Sequence, residues 1–105
     1  MLATSGKKRS PFLPDVPTFA ELGYPDVTSE EWFGFYAPAR TPAATIATAN
    51  AAITRALKDK TVIDALALVG LVANGSTPQD MAADQKAEYE RWGPLVKQIG
   101  FTSES

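Results

Sequence analysis

Six consecutive residues constrain this chain more than any others: Trp32-Phe33-Gly34-Phe35-Tyr36-Ala37, closed by Pro38. Aromatic density and a proline stop favour a β-strand. Both alternating faces are apolar, so the run reads as a central strand covered on two sides rather than a half-wet edge. A strand of that kind presupposes neighbours, and the rest of the sequence must be asked to supply them.

The rest offers mostly helix. Residues 1–5 read as the tail of a strand, and Lys7 through Pro17 as loop, because Pro11, Pro14 and Pro17 block both helical and ladder hydrogen bonding. Thr18-Phe19-Ala20-Glu21 has the form of a capping box opening a short helix, with Gly23 suited to the left-handed position that ends it. Thr41-Pro42 starts a long helix, with Thr41 as cap. Ile46, Ala49, Ile53, Ala56 and Leu57 make one apolar stripe on it. A second helix is expected over residues 61–69, closed by Gly70, with Leu71-Val72-Ala73 as a very short strand and Asn74-Gly75 as a turn. Thr77-Pro78 repeats the helix start. Met81, Gln85, Tyr89, Trp92, Val96 and Ile99 follow at intervals of 4, 4, 3, 4 and 3, the strongest periodicity in the chain. Pro94 predicts a kink over residues 90–92.

Composition excludes several function classes. Neither Cys nor His is present, which removes disulfides, thiolate and imidazole metal sites and the Ser-His-Asp triad. No metal, cofactor or catalytic residue is therefore expected, and the chain reads as no enzyme. A net charge of −2 with one basic run, Lys7-Lys8-Arg9, carries no nucleic-acid footprint. No apolar run approaches the roughly 18 residues of a membrane span. As written, the N-terminus has no signal-peptide order of basic then apolar residues. The 105 residues allow one small domain.

The order and spacing of several short motifs resemble one family. They are Leu13-Pro14-Asp15-Val16-Pro17-Thr18 with Glu21 and Gly23; Trp32-Phe33-Gly34 with Ala37-Pro38 and Thr41-Pro42; Ser76-Thr77-Pro78; and Arg91-Trp92. The chain resembles the C-terminal segment of the substrate-binding proteins of tripartite tricarboxylate transporters, the Bug (Bordetella uptake gene) receptors. The resemblance implies an α/β fold, the C-terminal part of a two-lobed, type II-like periplasmic binding protein, with three main helices and two or three strands. Residues 1–31 would be the end of the second lobe and its crossover, and residues 32–105 a strand and helices of the first lobe. It implies a periplasmic location, a small carboxylate ligand and membrane permease subunits as partners. The export signal, the first lobe's opening strands with their helix-start loops and most of the second lobe are expected to have no counterpart in this sequence.

In two-lobed α/β receptors the ligand lies at the carboxyl ends of strands. Thr4 and Ser5, at the end of the expected first strand, are the ligand-binding candidates, although such hydroxyls also serve simply to close turns. Trp32 is a third candidate, for stacking on a ligand, against the alternative of core or hinge packing. Lys7-Lys8-Arg9 reads as a solvated loop. Thr41 and Thr77 read as caps. Glu30-Glu31 and Glu88 with Glu90 are not aimed at one point and carry no acid–base chemistry. Such a chain is expected to be unable to bind ligand alone. It is also expected to cover its aromatic strand by self-association, as a homo-oligomer, or by joining the missing N-terminal lobe.

Overall fold

The computed structural model describes residues 1–102. The chain divides into two compact units, Met1–Phe35 and a second from Tyr36 onward.

The first unit is built from turns. Pro14 and Pro17 alternate with tight bends in which Leu13 N donates to Ser10 O at 3.0 Å and Val16 N to Leu13 O at 3.1 Å. This brings Thr18 alongside Thr4 in a single parallel bridge. Thr4 N donates to Pro17 O at 3.0 Å and Phe19 N to Thr4 O at 2.9 Å. The expected capping box forms: Thr18 N donates to Glu21 Oε2 at 2.9 Å and Glu21 N to Thr18 Oγ1 at 3.1 Å. The expected helix does not. Gly23, at φ +93°, reverses the chain after one turn, and Tyr24 N returns to Phe19 O at 2.9 Å. A short 3₁₀ helix, Pro25–Val27, follows.

The second unit holds three helices: α1, Ala43–Ala56; α2, Lys60–Leu68; and α3, Pro78–Gln98. All three match the periodic segments. On α1 Ile46 and Ile53 of the expected stripe, with Leu57 just past its end, are half-buried, while Ala49 and Ala56 are exposed; on α2 Val62 and Leu66 are half-buried, while Val69, just past its end, is 71% exposed. On α3 only part of the stripe is covered: Met81 and Trp92 are half-buried, whereas Tyr89 and Ile99 are exposed. Asp59 caps α2 through Thr61 N at 2.8 Å, and Gly70, at φ +76°, closes it. Thr77 caps α3 as expected. Thr41 does not cap α1: the cap position falls on Pro42, and the Thr41 hydroxyl turns back to donate to Pro38 O at 2.7 Å. Helix α3 runs unbroken through Pro94. Residues 71–77 are irregular, so neither the short strand nor the turn expected there forms. Asn50 Nδ2 donates to Ser76 O at 2.9 Å, tying α1 to this segment. A Cβ at Gly75 would meet Leu57 Cδ1 at 3.4 Å, so the backbone passes close to α1.

The expected strands are absent among the described residues. The helices of the α/β reading are present and its sheet is reduced to the Thr4–Thr18 bridge. Residues 32–37, expected as a buried central strand, carry no regular structure, and among the described residues no backbone–backbone hydrogen bond reaches residues 31–37. Phe33 is 77% and Phe35 80% exposed. The physical reason is that a strand is specified by the ladder beside it, and no other described segment provides one. The same shortage appears in the surface. Among the described residues no apolar side chain is fully buried, and the chain exposes 8918 Å². Two separately compact units of these sizes would expose only about 6,800 Å².

Candidate functional site

Two of the three candidate residues, Thr4 and Ser5, lie on the segment from Thr4 to Lys8. Its position is set by two sets of backbone bonds. The Thr4–Thr18 bridge holds one side, and Ser29 N donates to Ser5 O at 2.8 Å on the other. Thr4 is half-buried, and its Oγ1 is enclosed without a hydrogen-bond partner. Ser5, beside it, is exposed. A buried hydroxyl with no partner is uncommon, because losing water without replacement costs about 1–3 kcal/mol. Just beyond, the chain bends sharply at Gly6, where a Cβ would sit 3.0 Å from Lys8 O. The Lys7 amide in this bend is occupied: it donates to Glu30 Oε1 at 3.0 Å. The loop thus already holds one carboxylate, from its own chain.

Behind this segment stands a charged clamp. Arg9 Nε lies 3.1 Å from both oxygens of Glu21, and its Nη2 donates to Oε1 at 2.9 Å. Arg9 Nη1 donates to Pro14 O at 3.1 Å. The Arg9 hydrogen bonds, with that from the Thr18 amide, pull the Glu21 carboxyl down to about 2. The hydrogen bond and charge of Glu21 raise Arg9 in return, and Asp15 adds to the effect. Arg9 is therefore engaged rather than freely solvated, a correction to the reading of the basic run. Thr18, gripped by Glu21, is 2% exposed and is the single buried residue among those described.

Trp32, the third candidate, is 40% exposed and makes no hydrogen bond or ring contact among the described residues. The acidic pairs stay apart in role. Glu30 serves the Lys7 amide, Glu88 accepts from Trp92 Nε1 at 2.9 Å, and Glu90 lies 3.8 Å from Lys86 Nζ. Arg91 stacks over the Trp92 ring, 5.0 Å from its centre. A shallow hollow of about 330 Å³ on α3 is lined by Tyr89, Glu90, Gly93, Pro94 and Lys97. Among the described residues no group of three acidic side chains could hold a metal ion, and no helix is long and apolar enough to cross a membrane.

Sequence reasoning missed the clamp and the part played by Glu30. The signal for the clamp was partial: Thr18 and Glu21 announce a capping box, but nothing at Arg9 says that it completes one 12 residues away. For Glu30 no local pattern exists.

The chain belongs to the tripartite tricarboxylate transporter family receptors, whose family model matches residues 1–101. It is 36% identical over 99 residues to Protein BugT of Bordetella pertussis, covering 94% of this chain and 30% of BugT. It is 36% identical over 96 residues to the UPF0065 protein in the tcbD-tcbE intergenic region of a Pseudomonas species, covering 90% of this chain and 29% of that protein. A UPF0065 protein in the clcB-clcD intergenic region of Pseudomonas knackmussii is 33% identical over 96 residues, covering 90% of this chain and 57% of that protein. The chain thus spans under a third of the first two relatives, and the family is one of receptors, not enzymes.

Proposed function

We propose that this chain forms the C-terminal part of a periplasmic solute receptor that captures a small carboxylate and presents it to membrane permease subunits. In this reading residues 1–31 end the second lobe and cross over, and residues 32–105 supply helices of the first. Thr4 and Ser5 form the ligand-binding end, with Ser5 exposed and the Thr4 hydroxyl enclosed beside it, and Trp32 contributes an aromatic surface. The observation that supports this most is the enclosed, unpartnered Thr4 Oγ1 next to the exposed Ser5, at the end of the bridged segment. A hydroxyl left without a partner is a donor and acceptor in waiting.

Because the chain spans under a third of BugT, binding depends on the remainder of the receptor. The test is thermal shift with citrate, succinate and benzoate. The chain is measured alone and mixed with a separately expressed BugT segment covering the rest. Stabilisation only in the mixture, lost on Thr4→Val, supports the reading. Equal stabilisation of the chain alone, or none in either case, overturns it.

A second reading is a non-enzymatic, self-associating module. Phe33, Phe35 and Tyr36 favour it, being exposed on a segment with no backbone partners among the described residues. Size-exclusion chromatography with light scattering decides: a monodisperse monomer at high concentration removes it.

A further inference from the structure

We propose that Arg9 and Glu21 are positioning residues for the ligand-facing end at Thr4 and Ser5, acting through Thr18. The proposal rests on the assignment of that end in the preceding section. Thr4 is bonded on both sides of Thr18, its amide to Pro17 O at 3.0 Å and its carbonyl to the Phe19 amide at 2.9 Å. Wherever Thr18 goes, Thr4 follows. Thr18 in turn is fixed by Glu21 at amide and hydroxyl, 2.9 and 3.1 Å. A lone capping Glu is free to swing away. Here Arg9 spans both of its oxygens at 2.9–3.1 Å, and Arg9 is itself anchored on Pro14 O.

Planar, two-point pairing of this kind fixes direction as well as distance. A simple surface ion pair would leave the carboxylate with one partner. This one hands its Oε2 to the single buried residue among those described. The charged group acting on Glu21 is Arg9, and Asp15 acts on Arg9.

The test is amide hydrogen exchange by NMR on the 105-residue chain, comparing the wild type with Arg9→Gln and Glu21→Gln. The Thr4 and Phe19 amides are expected to exchange roughly three- to tenfold faster in both variants, with α3 amides unchanged. Arg9→Lys should restore only part of the protection, because an ammonium group does not span two oxygens. In the wild type, protection should hold until Glu21 protonates near its depressed value of about 2, and in Arg9→Gln it should be lost at higher pH. Should either variant unfold, the wild-type titration still decides. Unchanged Thr4 and Phe19 exchange in both variants, or wild-type protection that ignores the Glu21 titration, overturns the proposal. No ligand enters the measurement, so its failure is distinct from failure of the carboxylate reading.

Discussion

The Thr77 hydroxyl donates to Asp80 Oδ2 at 2.7 Å while accepting from the Asp80 amide at 3.0 Å, so one residue seals the start of α3 in both directions. Thr77→Ala should therefore cost about 1 kcal/mol of local helix stability. Thr41→Ala, whose hydroxyl serves Pro38 O and not a helix amide, should leave α1 nearly unchanged. Amide exchange in the first turn of each helix distinguishes the two.

Pro94 lies inside α3, where it offers no amide to the preceding turn. Pro94→Ala should stabilise the helix by about 2–3 kcal/mol. The measurement is the thermal midpoint of the helical circular-dichroism signal, which should rise.

The Glu21 carboxyl, held near 2 by Arg9 and the Thr18 amide, links folding to acid. A depressed carboxyl adds stability above its unfolded pKa and loses that contribution as pH falls through the folded one. The window here runs from about pH 4.5 down to 2. Carbon-13 titration of the Glu21 side chain should show the low midpoint. Arg9→Gln should move it up towards the ordinary Glu value.

Phe33 and Phe35 touch water rather than a core. Phe33→Ser with Phe35→Ser should leave helical content unchanged, within about 0.5 kcal/mol of stability. The same pair should lower binding of a hydrophobic dye and reduce concentration-dependent association. Unaltered association would assign it to another surface.

The helices were readable because their information is local. Periodicity at Ile46, Ile53 and Leu57, the Thr77-Pro78 start and the Gly70 stop each act within a turn or two of chain. The capping box at Thr18 and Glu21 was readable for the same reason, although its helix was not, since Gly23 intervenes too soon. The strand at residues 32–37 does not form because aromatic density, apolar faces and a proline stop say what a segment is made of, not what lies against it. Of the site, Thr4 and Ser5 came from an argument about strand ends, and the geometry supplies their bridge and bend. The Arg9 grip and the Glu30 bond to Lys7 join residues far apart in sequence, where a single chain carries no pattern to read.

Thr18 gives the first unit an unusual response to its surroundings. Its most enclosed side chain carries a hydroxyl, not a hydrocarbon, and is gripped by an ion pair. Melting this turn uncovers little oil-like surface, so its heat-capacity increment should fall below the common figure of about 12–15 cal/mol/K per residue. Chilling will hardly loosen it, whereas concentrated electrolyte, which shortens the reach of charge, will.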